Sequence, residues 1–398
     1  MKYKKILFII AFSAFTLASC SDVDKIEPEP NNIAIPSADV KTLSLSDPQA
    51  TAETKALYSN LWAIEQKGFM FGHHDDLMYG RYWYGDDGGS DTKAVCGDYP
   101  AVYSVDLAEV MDDRSLTAKS QSANEIRKRC ITEARHRGEV IIACMHLNNP
   151  LTGGDSWDNS NKDVVAQILT QGSATNQKFN TWLDRLVVFV NSLKDDKGNP
   201  IPMIFRPFHE HTQSWSWWGS SCTTEQQFID LWRYTVNYLR NAGIHQFIYA
   251  IAPQMDTPKT ENDFLYRWPG DDYVDFIGMD AYQGLTPEVF SRNMRTLASV
   301  AAKKQKPCGV TETGVEGFTD KKYWTEQILT PAENRHVSMI VTWRNKFVDG
   351  NESDKHYYSV YPGHPSADDF IRFYNDPTTF FSSDLPDMYT MADGMEVN

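Results

Sequence analysis

The chain has 398 residues and a formal net charge of −15, from 53 acidic and 38 basic side chains. This acidic balance argues against nucleic acid or anionic lipid as the partner, because both are themselves negatively charged. The six cysteines contain no CxxC pair and no regular spacing, which argues against a structural zinc site. The composition is compatible with a neutral substrate.

The N-terminal segment has the order of a secretory signal. Basic residues up to Lys5 precede an apolar run over residues 6–18, which is shorter than the ~20 residues that a membrane-spanning helix needs. The run ends in the letters LASC, which resemble a bacterial lipobox and imply cleavage before Cys20 and lipidation of its thiol. We therefore predict a lipoprotein signal peptide over residues 1–19 and an outer-membrane lipoprotein on the cell surface, with the periplasmic face as the alternative.

The next segment, residues 20–48, is acidic and contains almost no apolar clusters, so we predict a flexible tether. Residues 49–398 are predicted to form one domain of about 350 residues, within the range of an α/β barrel with insertions. We expect a monomer that meets the membrane only through its lipid anchor.

Eight short apolar runs alternate with longer amphipathic segments along this domain, which predicts strands that alternate with helices and form a parallel sheet. The predicted strands cover residues 69–72, 101–106, 140–146, 202–208, 246–252, 274–280, 308–311 and 337–343. The predicted helices cover residues 124–136, 163–193, 224–241, 287–303 and 323–329. Gly138 and Gly243 are expected to end two of them.

The polar residues at the ends of the predicted strands favour a closed barrel over an open doubly wound sheet. They are distributed over all eight strands: His73, Asp106, His146, Glu210, Gln254, Asp280, Glu312 and Arg344. Barrel enzymes build their sites from the carboxyl ends of many strands, whereas an open sheet uses one switch point with a Gly-rich phosphate loop. No such loop motif occurs. We predict an α/β fold, a (β/α)8 TIM barrel, without a cofactor.

Two carboxyl groups stand out among these residues. Glu210 ends a strand that also presents Arg206 and His209, and Glu312 ends a later strand. Glycoside hydrolysis needs one protonated carboxyl to donate to the leaving oxygen and one ionised carboxylate to attack the anomeric carbon. In a retaining enzyme the two lie about 5–5.5 Å apart. Arg206 is expected to donate to an ionised carboxylate such as Glu312.

The predicted rim loops are rich in tryptophan. A pyranose has an apolar C–H face that packs on flat aromatic rings. The candidates are Trp157, Trp215, Trp217, Trp218 and Trp343. An alternative role for Trp215, Trp217 and Trp218 is hydrophobic cover for the end of the barrel.

Five motifs follow one another in the order of strands 4 to 8. They are RPFHE at residues 206–210, Trp215, GMDAY at 278–282, TETG at 311–314 and TWRN at 342–345. In these motifs the chain resembles glycoside hydrolase family 26, most of whose members are β-1,4-mannanases on a (β/α)8 barrel.

The resemblance implies roles for individual residues. It makes Glu210 the acid/base at the end of strand 4 and Glu312 the nucleophile at the end of strand 7. It also implies that His209 contacts the glycone-side sugar, that Tyr282 holds the nucleophile and that Trp343 forms the floor of the −1 subsite.

The resemblance extends to further residues, and others are expected to support the site. His146 matches a family histidine at the −1 subsite, and Arg344 matches an arginine that some members use at −2. Trp157 is expected to stack on a sugar at −1 or −2. Arg206 is expected to support the site. His73, or its neighbour His74, is expected to lie beneath it, and Asp280 is expected to hold an arginine or a backbone amide.

The function predicted on this basis is a retaining β-1,4-mannanase that hydrolyses mannan, glucomannan or galactomannan by double displacement. The motifs also allow an exo-acting enzyme that releases mannobiose, in which the insertion over residues 149–176 would block distal glycone subsites. A related β-glucanase or xylanase stays open too. An alternative of another class is a glycan-binding lipoprotein without activity, although such a protein needs no carboxylate pair.

The histidines and acids also allow a metal site. The candidate ligands are His73, His74, Asp75, Asp76, His146, His209 and His211. Zinc hydrolases use such residues. We predict no metal, because these histidines already have places in the glycosidase pattern.

Overall fold

The computed structural model describes residues 34–282, 285–350 and 353–398. The predicted signal peptide and the first part of the tether, including Cys20, lie outside the described residues. No helix in the described ranges is long and apolar enough to cross a membrane.

Eight parallel strands form a closed barrel, which confirms the predicted fold. They are β1 Phe69–His74, β2 Val102–Asp106, β3 Val140–Cys144, β4 Met203–Arg206, β5 Phe247–Ile251, β6 Phe276–Ala281, β7 Cys308–Thr313 and β8 Met339–Thr342. Each strand pairs with the next in the chain, and β1 pairs with β8, with Met70 opposite Met339. The short strand Thr379–Phe380 adds to the edge of β1. Every predicted strand overlaps one of the eight.

Helices alternate with the barrel strands and cover the outside of the sheet. The α-helices are Ala52–Ile64, Asp91–Cys96, Ala108–Met111, Ala118–His136, Val164–Leu169, Ala174–Asn191, Glu225–Asn241, Glu261–Phe264, Pro287–Lys304, Thr330–Ala332 and Ala367–Tyr374. Short 3₁₀ turns cover Asp113–Leu116, Asp271–Tyr273 and Ser382–Asp384, and Tyr323–Leu329 is a π-helix. Gly138 and Gly243 adopt φ of 86° and 83° just after two of the helices, as predicted.

One predicted helix is wrong in its extent. Residues 163–193 form two helices rather than one, because Gly172 adopts a φ of 80°, which interrupts the helical backbone. Ser173 then begins the second helix by accepting a hydrogen bond from the amide of Asn176.

The interior of the barrel is filled with side chains and is not a channel. Met70, Val102, Ile142, Ile204 and Ile248 are among the residues of this inner cluster, each at most 1% exposed. Gly72 lies in the same layer, where an added Cβ would lie 2.8 Å from a methyl carbon of Val341. A packed interior leaves the strand ends as the place for a substrate.

The sequence predicted that the domain starts at residue 49, but the folded structure begins earlier in the chain. Thr42–Leu43 pairs with the C-terminal Glu396–Val397 in parallel. Leu43 and Leu45 are buried in the inner cluster, and the amide of Ser46 donates to Asp275 across 2.6 Å. The alternating leucines of this segment therefore cover the barrel rather than extend into solvent. The five cysteines of the described residues are all free.

Candidate active site

The candidate site lies at the carboxyl ends of the barrel strands. Arg206 is the last residue of β4, Asp280 lies near the end of β6, and Glu312 lies near the end of β7. Parallel strands bring their ends to one rim, so residues more than 100 positions apart in sequence, such as Arg206 and Glu312, come into contact.

Arg206 is the buried centre of this arrangement. Its Nη1 donates to Oδ2 of Asp280 across 2.6 Å, and its Nη2 donates to Oε1 of Glu312. Oδ1 of Asp280 also accepts from the hydroxyl of Thr311 across 2.6 Å. Burial opposes the charge of Arg206, but the carboxylates of Asp280 and Glu312 raise the pKa of Arg206 above its usual value. The guanidinium thus makes the contact with Glu312 expected from sequence, and Asp280 holds the arginine in place.

The second oxygen of Glu312 is also bound. The phenol of Tyr282 donates to Oε2 across 3.0 Å, and Glu312 is only 3% exposed. Two donors from different parts of the rim therefore fix the carboxylate in one orientation. An ionised carboxylate with a fixed orientation is suited to nucleophilic attack.

Glu210 has a different environment. Its Oε2 accepts from the indole N–H of Trp215 across 2.9 Å. Burial and the nearby charge of Glu312 raise the pKa of Glu210 to about 7. A carboxyl with this pKa is protonated in a large fraction of molecules near neutral pH, as a general acid must be.

The backbone around Glu210 adopts an unusual conformation. Phe208 and Glu210 have φ of 50° and 54°, in the left-handed region that residues other than glycine seldom adopt. The amide of Glu210 donates to the carbonyl of Ala252 across 2.7 Å, which holds this turn against the next strand. Such backbone strain is common at functional sites and persists where the surroundings hold it.

A pair of histidines lies beside the two carboxyls. Nε2 of His209 lies 3.0 Å from Nε2 of His146 and 3.8 Å from Oε1 of Glu312. Nδ1 of His146 lies 2.7 Å from Asp106 at the end of β2. Burial, together with the charge of Arg206, holds the pKa of His209 well below its usual value, so this ring is neutral.

Trp343 forms one wall of the site with His74, the neighbour of His73 that the sequence analysis allowed in its place. The ring of Trp343 stacks on His74, with 4.0 Å between the ring centroids, and lies 5.6 Å from the ring of His146. Of the two histidines that the prediction allowed, His73 does not reach the site, because its Nδ1 lies 3.0 Å from Asp76 and 3.2 Å from Thr92. Neighbouring residues of a strand point to opposite faces, so His74 points toward the site and His73 toward the outer helices.

Arg344 is oriented by Tyr79, which sequence reasoning missed, and through it by Asp75, which the sequence indicated only as a candidate metal ligand. Its Nη1 donates to the hydroxyl of Tyr79 across 3.2 Å, and that hydroxyl donates to Oδ2 of Asp75 across 2.6 Å. These side chains and Asp106 line a cavity of about 390 Å³ beside the site. Asp75 and Tyr79 belong to the loop after β1 and lie in none of the motifs that indicated the site.

The tryptophans of the rim fall into two groups. Trp217 and Trp218 are buried, and their indole N–H groups donate to the carbonyls of Leu147 and His209, so they cover the end of the barrel. Trp215 is partly exposed and contacts Glu210. Trp157 is 66% exposed. Its side chain is available to a ligand at the surface.

The loop that carries Trp157 is joined to the loop that carries Trp215. Nδ2 of Asn159 donates to the carbonyl of Ser214 across 2.7 Å. The amide of Trp217 donates to the carbonyl of Ser156 across 3.2 Å. These contacts place the first part of the insertion over residues 149–176 next to the site.

Two groups of side chains in the described ranges have the spacing of metal ligands. They are Asp106 with Cys144 and His146, and His209 with Asp280 and Glu312. In the second group both carboxylates already accept from Arg206, whose positive charge would repel a cation. These donors fit carboxylate chemistry supported by arginine better than they fit a metal centre.

Comparison with known proteins identifies a family and solved structures with the same fold. The sequence model of "Glycosyl hydrolase family 26" matches residues 46–328. The solved structure of a family 26 β-mannanase from Bacteroides ovatus is 39% identical, with a TM-score of 0.79, and the match covers 86% of this chain and 98% of that chain. The catalytic domain of an endo-β-1,4-mannanase from Bacillus sp. JAMB-750 is 26% identical, with a TM-score of 0.81, over 91% of this chain and 100% of that chain.

A curated relative extends well beyond the matched region. The mannan endo-1,4-β-mannosidase of Bifidobacterium adolescentis is 29% identical over 367 residues, which are 83% of this chain and 35% of the relative. The first three curated relatives are matched over 35%, 58% and 52% of their own lengths.

Proposed function

The chain belongs to glycosyl hydrolase family 26, and from this premise we propose that it is a retaining endo-β-1,4-mannanase acting on mannan, glucomannan or galactomannan. The observation that carries the proposal is the difference between the two carboxyls. Glu312 is bound by Arg206 and Tyr282, whereas burial raises the pKa of Glu210 to about 7. The roles of nucleophile and acid need this separation.

In the first step Glu312 attacks the anomeric carbon while Glu210 donates its proton to the glycosidic oxygen. The bond between that carbon and oxygen breaks, and the aglycone leaves as an alcohol. In the second step the Glu210 carboxylate takes a proton from water, the water oxygen bonds to the anomeric carbon, and Glu312 departs as a carboxylate. Arg206 and Tyr282 stabilise that carboxylate in the free enzyme.

The substrate would lie along the rim. We assign Trp343, His146 and His209 to the sugar at −1. His209 lies beside Glu312, and the ring of His146 lies next to that of Trp343, which stacks on His74. Arg344 would bind a hydroxyl group at −2, in an orientation set by Tyr79. The exposed ring of Trp157 would stack on a sugar of the chain.

The proposal includes the location of the protein. The sequence LASC ahead of the acidic stretch supports an outer-membrane lipoprotein whose lipid is attached at Cys20. We propose that the barrel acts as a monomer at the cell surface, where it meets polymers too large to cross the membrane. Action at the periplasmic face on imported oligosaccharides is the alternative.

Product analysis tests the function. Purified protein would be incubated with mannan, mixed-linkage glucan and xylan in parallel, and with mannopentaose followed by chromatography. We expect hydrolysis of mannan with mixed oligosaccharides from the start, and initial products in the β configuration by proton NMR. Mannobiose as the sole early product would indicate the exo-acting alternative, and preferential hydrolysis of glucan or xylan would contradict the substrate.

A control separates catalysis from glycan capture. The double variant Glu210→Gln, Glu312→Gln should still bind mannan in affinity electrophoresis but release no reducing sugar. If the wild-type protein binds mannan equally well and also releases none, the chain is a binding protein.

A further inference from the structure

A line of polar side chains leads from the end of β2 to Glu312. Oδ2 of Asp106 lies 2.7 Å from Nδ1 of His146, and Nε2 of His146 lies 3.0 Å from Nε2 of His209. Nε2 of His209 lies 3.8 Å from Oε1 of Glu312. The family resemblance gave no role to Asp106, which begins this line.

Asp106 is held firmly in its ionised form. Its Oδ1 accepts from the amide of Ala108 across 2.7 Å and from the amide of His146 across 3.3 Å. Although burial opposes ionisation, His146 and the amide of Ala108 hold the pKa of Asp106 well below its usual value. The position of this carboxylate is therefore set by the backbone and does not depend on a substrate.

The hydrogen positions follow from what each group can donate or accept. A carboxylate only accepts, so Nδ1 of His146 carries a hydrogen. In the neutral ring Nε2 of His146 is then bare and accepts from His209. Consequently the hydrogen of His209 lies on Nε2, where it donates to His146. This nitrogen is also the one that lies 3.8 Å from Oε1 of Glu312.

We propose that Asp106 is a positioning residue, which fixes the tautomer of His146 and through it keeps the hydrogen of His209 on Nε2, the ring nitrogen that lies near Glu312. This inference rests on the proposed function, in which Glu312 is the nucleophile. The polar N–H stabilises the negative charge that returns to Glu312 when the carboxylate leaves the glycosyl intermediate. Asp106 itself contacts no reacting atom in this scheme.

The substitution Asp106→Asn isolates this effect because it conserves shape. An amide can donate to Nδ1 of His146, which then carries no hydrogen, so the hydrogen of that ring moves to Nε2. Two N–H groups cannot face each other at 3.0 Å, and His209 must then carry its hydrogen on Nδ1. Glu312 loses the nearby N–H, and we expect kcat to fall at least about tenfold with a smaller change in KM.

The test uses the full folded chain labelled with ¹⁵N in histidine, with His146→Gln to assign the signals. Imidazole nitrogen shifts distinguish protonated from bare nitrogens. Burial lowers the pKa of His146, but Asp106 and the carboxyls of Glu312 and Glu210 raise it above its usual value. Spectra are therefore recorded over rising pH until the ring of His146 is neutral, and in that state we expect Nδ1–H on His146 and Nε2–H on His209. In Asp106→Asn both tautomers should reverse, while kcat falls and the melting temperature changes little.

Glu109→Gln is the matched control. It removes a carboxylate three residues further along the chain, where Glu109 has a side chain 37% exposed and lies 3.8 Å from Arg127. This variant should keep both tautomers and the wild-type kcat. Equal kcat in Asp106→Asn and Glu109→Gln would overturn the proposal, as would unchanged tautomers in a folded Asp106→Asn.

If Asp106→Asn does not fold, the spectrum of the wild-type protein is sufficient to test the proposal. A hydrogen on Nε2 and none on Nδ1 of His146 would overturn the proposal directly. The tautomers are measured without substrate, so an inactive wild-type protein with the expected tautomers would contradict the proposed function and leave the link from Asp106 to His146 standing.

Discussion

The indole N–H of Trp215 donates to Oε2 of Glu210 across 2.9 Å, from a position only five residues along the chain. This hydrogen bond favours the ionised carboxylate, whereas burial and the charge of Glu312 favour the protonated acid. The balance sets the pKa of Glu210 at about 7. The pH dependence of activity should therefore respond to changes at Trp215.

We predict that the activity of the wild-type protein falls as pH rises through about 7, because the general acid is then lost. Trp215→Phe removes a donor that lowers the pKa of Glu210, so this alkaline limb should move to higher pH. Profiles of kcat/KM against pH for both proteins measure the shift. A limb that moves to lower pH would contradict the role of the indole.

Removal of each of the two carboxyl groups should affect a different step of the reaction. Glu312→Ala should lose nearly all activity on every substrate, because no nucleophile remains. Glu210→Ala should lose about 10²–10⁴-fold on mannan but retain the first step on aryl mannosides whose leaving groups need no acid. Burst and steady-state kinetics on both substrates distinguish the steps. Equal loss on natural and activated substrates in a folded Glu210→Ala protein would argue against the assignment of Glu210.

Tyr282→Phe should reduce kcat/KM by about 10- to 100-fold, because a hydrogen bond to a charged group is worth about 1.5–3 kcal/mol. Tyr238→Phe is the matched control, since it removes a phenol that donates to Asp184 across 2.7 Å on the outer helices. Initial rates on mannopentaose compare the two variants. If both variants fall equally, Tyr282 has no particular role at the nucleophile.

Treatment with EDTA should leave activity unchanged, because no step of the proposed mechanism uses a metal. The assay compares initial rates before and after dialysis against the chelator. A loss that added zinc restores would favour the metal site among the histidines, with Asp106, Cys144 and His146 as its first candidate ligands.

Cys20→Ala should move the protein from the membrane fraction to the soluble fraction, because the thiol that would carry the lipid is gone. Fractionation of cells followed by immunoblotting measures this. Protease treatment of intact cells tests the surface location. Protection until the outer membrane is opened would favour the periplasmic face, and continued membrane retention of Cys20→Ala would contradict the lipid anchor.

Local patterns in the sequence were sufficient for the barrel and for the two carboxyls. A strand buried on both faces needs a short apolar run, and each run was visible without knowledge of its neighbours. Glu210 and Glu312 directly follow or end such runs, so their position on the rim followed from chain order alone. These features depend on contacts within a few residues or on the regular geometry of a parallel barrel.

The tertiary structure decided which side chains meet. Whether His74 or His73 faces the site depends on which alternate residues of β1 point into the barrel. The bond of Tyr79 to Arg344 joins loops 265 residues apart. The burial of Leu43 requires the C-terminal strand Glu396–Val397 as its partner. Such contacts are decided by strand register and loop paths, which depend on the packing of the whole chain and leave no periodic signal in the sequence.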